Sequence, residues 1–421
     1  MSVGTTEGLG IMKFKTARTL TSVALVGGLA LAALPAVSSA STPTVKNSTF
    51  NTSFSTMKYL KSIVAKGKGS VAVILPDTKS SARYLQFDTP NLKRALTASG
   101  LSAKNIIFQN AQGSAATQFT MAQADIAKGA KVLIIDPLDS STGAVIETYA
   151  HQHGVAVIDY DRLTLGGARS YYVSFNNVAV GTLIGQGEVA CLNAWHVTKP
   201  VIYISYGAAT DNNATLFAQG YNKVLSAAGF NTAPGGGTTS AGTTYTESAG
   251  TWDGNQALVD FQGAFTAHPN INAAVTPNDN NASGIISYLQ SKGLKPNTFP
   301  FTGQDASLVG FQNVISGYQC GTVYKPIWLE AQATVALAVY LRAHIKPPST
   351  LANGFTKDSV SGKNVPSVLL TATWVTPDKV QSTVIHDGVI KASDLCTSSA
   401  PTVAGSPQPT YAADCTALGI K

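Results

Sequence analysis

Val155-Ala156-Val157-Ile158-Asp159-Tyr160-Asp161-Arg162 is the stretch that decides how this chain is read. Four apolar residues, mostly β-branched, describe a strand buried on both faces, as parallel strands covered by helices are. The run stops abruptly in two carboxylates and a guanidinium. Ligands of open parallel sheets lie beyond the carboxyl ends of the strands. Asp-Tyr-Asp-Arg therefore aims hydrogen-bonding groups at the place where a small polar ligand would sit. The pattern recurs on both sides. Val71–Leu75 runs into Asp77 and Lys79, Val132–Ile135 into Asp136, and Val201–Ser205 into Tyr206. Ile271–Val275 runs into Asn278 and Asp279, and Phe299–Thr302 into Gln304 and Asp305. Polar strand ends repeated in this way describe a binding crevice.

Helical patterns separate these strands. Phe87–Ser99, Gln118–Lys128 and Ala144–His151 stop at Gly100, Gly129 and Gly154, with Ile106–Phe108 as a further strand between the first two. A second series from Tyr172 carries helices at Val178–Cys191, Asn213–Ala228, Gln256–His268 and Ala282–Lys292. Alternating strands and helices at this spacing build parallel sheets. The expected fold is α/β, with two similar Rossmann-like lobes, each a parallel sheet with helices on both faces. Thr322–Tyr324, a helix at Ala331–Ala343 and a strand at Ser367–Trp374 return the chain between the halves, leaving a cleft able to close by a hinge. The expected divisions are 1–40 signal peptide, 41–67 flexible tether and 396–421 C-terminal tail. The first lobe takes 68–171 plus 325–371, and the second 172–324 plus 372–395. Met57–Val64 is a short amphipathic piece within the tether, and Thr232–Thr251 a flexible Gly/Ser/Thr loop.

The chain has 421 residues, 44% hydrophobic and 12% charged, which suits folded domains. Its net charge of +7 has no long basic run, which argues against a nucleic-acid partner. Lys13–Arg18, the apolar Leu20–Leu34 and the small residues Ser38-Ser39-Ala40 have the layout of a signal peptide cleaved after Ala40. The protein is thus expected to be exported, on the periplasmic or extracellular side of the cell envelope. Export makes the four cysteines disulfide candidates. Three pairings are open, of which Cys396 with Cys415, clipping the tail, and Cys191 with Cys320 are favoured.

A neutral sugar presents hydroxyls that donate and accept, and C–H faces that lie flat on aromatic rings. Asp and Asn accept from neighbouring hydroxyls, while Arg and Lys donate to ring and hydroxyl oxygens. Arg83, Tyr84, Asp161, Arg162, Asp211, Asn213, Trp252, Asn278, Asp305 and Lys325 suit that ligand. Each has a plainer reading as well. Arg83 and Asp88 are also ordinary first-turn helix residues, Trp252 a plug beneath its loop, and Asp161 with Arg162 a local ion pair. Asp211 and Asp279 read as helix N-caps, and capping is the main role expected of Asp279. His151 and His153, two apart, do not share a helix face as zinc ligands would. No nucleophile elbow or phosphate loop is present. Carboxylates mixed with Arg, Lys and Asn fit polyol binding better than acid/base glycoside cleavage.

These landmarks carry a likeness. Ala82-Arg83-Tyr84, Tyr160-Asp161-Arg162, Tyr172–Asn177, Asp211–Ala214, Asn278-Asp279, Gly303-Gln304-Asp305, Thr322–Pro326 and Val365-Pro366-Ser367 occur in order between about Ser70 and Leu395. In them the chain resembles the periplasmic-binding-protein type I sugar-binding proteins of bacterial ABC importers, and among these the D-xylose-binding branch. The resemblance implies that Arg83, Arg162, Asp211, Asn213, Asn278, Asp305 and Lys325 hydrogen-bond a pyranose sandwiched by Tyr84 and Trp252, with Asp161 at the rim or on the sugar. It implies hinge crossings near Ser170–Tyr172, Thr322–Lys325 and Thr371–Trp374. It also implies a non-enzymatic protein without cofactor or metal, whose partners are a monosaccharide and the membrane permease; a monomer is the default expectation. Departures are Tyr84 where that branch often has Trp, Ser80 where it has a second basic residue, the Gly/Thr-rich loop and the Cys396/Cys415 tail. A receptor sensing another pentose or hexose is one alternative, and a carbohydrate-active enzyme another.

Overall fold

The structure, a computed structural model, describes residues 45–397 and 411–421. The expected signal peptide and its cleavage point at Ala40 lie outside those residues, as does 398–410 of the tail.

The first lobe opens with β1 (Ser70–Leu75), β2 (Ile106–Asn110), β3 (Ala130–Ile135), β4 (Ala156–Tyr160) and β5 (Tyr171–Phe175). All five run parallel, in the order β5-β4-β3-β1-β2. Alternate residues of a strand face opposite sides, and both sides here are core. Val71 and Val73 of β1 pack with Leu92 and Leu96 of α2 (Thr89–Ala98; α1 is the single turn Lys61–Val64). Ala72 and Ile74 pack instead with Ala122 of α3 (Ala115–Ala127) and Ile146 of α4 (Ser140–Gln152).

The chain then builds the second lobe from α5 (Asn177–Ala194), β6 (Val201–Ile204), α6 (Asn212–Ala227), β7 (Gly237–Thr238), β8 (Thr243–Thr246), α7 (Gly254–Ala267), β9 (Ala273–Val275), α8 (Asp279–Ser291) and α9 (Leu308–Ile315). Its sheet has the order β7-β8-β6-β9, and Phe301 adds a parallel bridge to Ala274. Helices α5 and α6 meet backbone to backbone. A Cβ on Gly181 would come within 2.0 Å of the Phe217 carbonyl oxygen, and one on Gly220 within 2.3 Å of that of Val178. After β10 (Thr322–Tyr324), α10 (Ile327–Arg342) returns to the first lobe, followed by β11 (Gly354–Lys357) and β12 (Asn364–Leu370). β12 pairs parallel with β5, completing a seven-stranded sheet that ends in antiparallel β11. β13 (Thr373–Val375) then pairs antiparallel with β10. The described chain finishes with α11 (Ala392–Thr397) and α12 (Ala412–Ala417).

Three expectations need correction. The tether is packed from Val45 onward: Val45, Phe50, Phe54, Met57 and Leu60 are buried in the first lobe's core. The Arg94 guanidinium lies 4.4 Å over the Phe54 ring, and Gln332 Nε2 donates to the Asn51 carbonyl at 2.9 Å. Apolar residues spaced three to four apart among Ser, Thr and Asn supply the buried face. The first crossing comes after Phe175, not near Ser170–Tyr172, because Tyr171–Phe175 pairs with both β4 and β12 of the first sheet. The start of the second lobe moves with it. Within the supposed flexible loop, Thr243–Thr246 is strand β8, beside β6; its threonines and tyrosine favour a pleated sheet.

Cys191 is bonded to Cys320, joining α5 to the segment before β10, and Cys396 to Cys415, joining α11 to α12. Tyr411, Cys415 and Ile420 are buried in one cluster with Phe311, Val314, Tyr324, Val375, Val384 and Leu395, so this end of the tail packs onto α9 and β10. Among the described residues no helix is long and apolar enough to cross a membrane.

Candidate functional site

Strand ends and helix starts of both lobes converge on one narrow cavity, whose free volume is about 20 Å³. All ten residues singled out in the sequence line it: Arg83, Tyr84, Asp161, Arg162, Asp211, Asn213, Trp252, Asn278, Asp305 and Lys325. Ser80, Ser81, Phe217 and Gln304 complete the lining.

The first-lobe wall is an ion-pair lattice. Arg83 sits between three carboxylates. It grips Asp88 through Nε (2.8 Å) and Nη2 (2.7 Å), reaches Asp161 through Nη1 (2.7 Å), and reaches Glu330 of α10 through Nη2 (2.9 Å). The side chain is 2% exposed, so nearly all its charge is balanced by protein. Arg83 and Asp88 are thus a buried bidentate pair, not ordinary solvated first-turn residues. Asp161 stands where β4 breaks, with φ at +61°. A non-glycine residue in the left-handed region is a cost that surrounding structure must hold in place. It is held here: the Asp161 N–H donates to Val173 O at 2.9 Å, and its carbonyl accepts from Tyr172 (3.0 Å) and Asn213 Nδ2 (2.9 Å). Burial pushes the Asp161 carboxyl up, but Arg83, Lys325 and Arg162 outweigh burial and hold it below the usual carboxylate range.

Asp161 and Arg162 are not an ion pair with each other, contrary to the local-pair reading. Adjacent in sequence, they point to different partners. Arg162 Nε lies 3.2 Å from Asp211 and 3.6 Å from Asp136, and its Nη2 donates to the Tyr84 hydroxyl at 2.8 Å. Arg162 comes from the first lobe and Asp211 from the second, so this pair spans the cleft.

The second-lobe wall is built largely on helix caps. Asp211 caps α6 by accepting from the Asn213 N–H (2.9 Å) and accepts the Trp252 indole N–H at 3.0 Å. Burial pushes the Asp211 carboxyl up, against the pull of Arg162. Asn213 Oδ1 accepts from Tyr172 (3.2 Å) and Asn177 (2.7 Å). Trp252 meets Phe217 edge-on, with ring centroids 6.4 Å apart. Asn278 caps α8. Asp279, expected to cap that helix, sits in its first turn instead. It accepts from Ser307 N (2.8 Å), Gln319 Nε2 (2.9 Å) and Thr322 Oγ1 (2.8 Å), tying α8 to β10, and burial pushes its carboxyl up to about 7.

Asp305 has φ at +90°, a left-handed acid opposite the one at Asp161. Its Oδ2 accepts from Ser81 Oγ at 2.8 Å across the cleft, and its Oδ1 lies 3.1 Å from Lys325 Nζ. Lys325, where the chain re-enters the first lobe, is also 3.8 Å from Asp161. The arrangement offers charged donors, carboxylate acceptors and aromatic faces from both sides of a closed gap.

A model of the periplasmic binding protein domain matches residues 71–344. The chain belongs to the periplasmic binding protein family. Its relatives include the D-xylose-binding periplasmic protein of Escherichia coli (strain K12), 34% identical over 301 residues, which span 71% of this chain and 85% of the relative. The multiple sugar-binding periplasmic receptor ChvE of Rhizobium radiobacter is 30% identical over 342 residues, 79% of this chain and 93% of that one. Among solved structures, a carbohydrate transporter solute binding protein of Chloroflexus aurantiacus in complex with D-glucose matches with a TM-score of 0.67 at 29% identity. It covers 77% of this chain and 98% of that one. The fold is thus the periplasmic binding protein type I fold, with two α/β lobes.

In this periplasmic binding protein, the sequence pointed to every charged lining residue and to four neutral ones, and missed Ser81, Phe217 and Gln304. Ser81 and Gln304 flank residues already singled out, so the strand-end rule applied to whole tripeptides finds them. Phe217 lies one helical turn beyond Asn213 on α6, a spacing that also brings it to the cleft. Gln304, which lines the gap, has its Oε1 buried without a hydrogen-bond partner among the described residues.

Proposed function

We propose that this chain is the extracytoplasmic substrate-binding protein of a sugar ABC importer. It holds a monosaccharide, D-xylose, in the interlobe cavity and delivers it to the permease by hinge closure. The observation that carries the reading is the cavity itself: a small gap between two lobes whose walls pair the rings of Tyr84 and Trp252 with Arg162, Asp211, Asn213, Asn278, Asp305 and Lys325. Hydrogen bonds to charged groups contribute about 1.5–3 kcal/mol each. A few of them, less the cost of ordering, support micromolar affinity, about −8 kcal/mol. Because the sugar touches both lobes, it favours the closed form over the open one. The family is one of substrate-binding proteins, which supports a binding role without turnover. The names of the E. coli and R. radiobacter relatives support a sugar in the cleft and export to the envelope.

Tyr84 and Ser80 keep a second sugar in view. These positions depart from the xylose-binding pattern, and the C. aurantiacus neighbour holds D-glucose. Calorimetric titration with D-xylose, other aldopentoses, D-glucose and D-galactose tests both readings. One-to-one binding that is tightest for D-xylose is expected. Tightest binding of a hexose would replace the sugar but keep the function, and no heat with any monosaccharide would remove the function. Release of free sugar from any glycoside would favour the enzyme reading instead.

A further inference from the structure

Trp252 stands at the end of the Gly/Thr-rich stretch that contains β8. Its ring lies over Gly207, where a Cβ would come within 2.2 Å of it, so the turn Tyr206-Gly207 after β6 is the seat of the ring. That turn is held from behind by Glu247, just past the end of β8. Glu247 Oε2 accepts from the Tyr206 N–H at 2.8 Å and from Ser205 Oγ at 3.0 Å. The Thr251 N–H closes the loop onto Tyr206 O at 3.1 Å, one residue before the tryptophan. The other Glu247 oxygen takes no part in this clamp; the residue lines a groove on the second lobe with Tyr203, Tyr245, Asp260 and His268.

We propose that Glu247 is a positioning residue for the cleft: its carboxyl clamps the Ser205–Tyr206 strand end that seats Trp252, and its charge state sets how firmly the aromatic wall is held. This rests on the reading of the cleft as a sugar site. A charged acceptor makes hydrogen bonds roughly twice as strong as a neutral one. The clamp is therefore tighter with the carboxylate than with the carboxylic acid. The carboxyl titrates in an accessible range, because burial pushes it up to about 7 with Asp260 adding to the effect, while the bonds from Tyr206 and Ser205 pull the other way. Tyr203 of β6, Tyr206 at its end, Tyr221 of α6 and Asp260 of α7 are the titratable groups that act on it or feel it. Tyr245 and His268, stacked 3.6 Å apart, form the groove wall beside them. No Lys or Arg lines that groove.

The test pairs wild type with Glu247→Gln, which keeps an acceptor for both donors and removes the titration. The indole N–H resonance of Trp252, assigned through Trp252→Phe, is followed by NMR from pH 5.5 to 8.5 without sugar, and sugar affinity is measured over the same range. The expected result is a Trp252 shift with a midpoint near 7 and an affinity gain of about fivefold from low to high pH. Both should be absent from Glu247→Gln, whose affinity stays near the low-pH value of wild type. A wild-type indole resonance that does not move near pH 7, or one that moves equally in Glu247→Gln, overturns the proposal. If no sugar binds at any pH, the cleft reading fails by itself, and the indole titration still decides whether Glu247 positions Trp252.

Discussion

The two walls of the cleft are built on opposite principles. On the first-lobe side Arg83 is locked among Asp88, Asp161 and Glu330 of its own lobe, while Arg162, bonded to Tyr84, also reaches across to Asp211. On the second-lobe side the polar groups are helix caps and strand-end residues, among them Asn278 and a Gln304 oxygen with no hydrogen-bond partner among the described residues. The buried carboxyls do not divide by lobe: Asp161 is held down by three cations, but burial pushes Glu330 of the same lattice up to about 8, as it does Glu188 of α5, for which no compensating charge is found among the described residues. The contrast suggests a rigid platform and a closing jaw. Ordering costs are met in the first lobe during folding, and the sugar completes the second.

Removing Arg83 would do most to break this comparison. Arg83→Ala leaves three buried carboxylates facing one another, and truncating one partner of a buried ion pair costs about 3–5 kcal/mol. The variant should melt far below wild type in thermal denaturation, with binding lost along with stability. A variant as stable as wild type would mean that the platform is not held by this lattice.

The uncompensated carboxyls of the second lobe give the next largest effect, with the sign fixed by their raised values. Glu188 (about 8) and Asp279 (about 7) hold protons in the folded chain that the unfolded chain releases above the usual carboxylate range. Their stabilising contribution is complete below about pH 4 and is lost as pH rises toward 8. Urea unfolding should show stability falling steeply between pH 5 and 8, Glu188 alone contributing about 3 kcal/mol, and Glu188→Met should remove that share of the slope. A slope unchanged by Glu188→Met would exclude Glu188 as its source.

Asp305→Ala sharpens the contrast from the other side. It removes the acceptor for Ser81 and the partner of Lys325, both reached across the closed cleft. Calorimetry should show about 1.5–3 kcal/mol less binding energy, and denaturation a far smaller loss of stability than in Arg83→Ala. Unchanged affinity would remove Asp305 from the site. Ser81→Ala, which deletes only the neutral end of that bond, should weaken binding by about 0.5–1.5 kcal/mol. An effect as large as that of Asp305→Ala would make the hydroxyl, not the carboxylate, the main contact.

The legible part of the site was the part fixed by local chemistry. A β-branched run that stops in charged residues states where a strand ends, and in each parallel sheet all such ends lie on one side, so Asn278 and Asp305 share the second lobe's rim and face Asp161 on the first. Partner choice was not legible. Glu330 reaches Arg83 from 247 positions away, and nothing near either residue announces it. The adjacent pair Asp161-Arg162 pointed the wrong way because the backbone turns at φ +61° and sends the two side chains apart. The fold followed the same rule. Strands of continuous apolar residues were visible, while Thr243–Thr246 lay hidden in a Gly/Ser/Thr stretch, and Tyr171–Phe175 had its sheet assigned by pairing with β4 and with distant β12. Likewise Phe50, Phe54, Met57 and Leu60 form a buried face in a segment whose polar composition suggested solvent.

Small-angle X-ray scattering of the mature chain, with and without saturating D-xylose, tests the platform-and-jaw account most directly. The account predicts a smaller radius of gyration with sugar, at a midpoint matching calorimetry, and a midpoint moved to higher sugar concentration in Asp305→Ala. Sugar that binds with full affinity and leaves the scattering unchanged would contradict it.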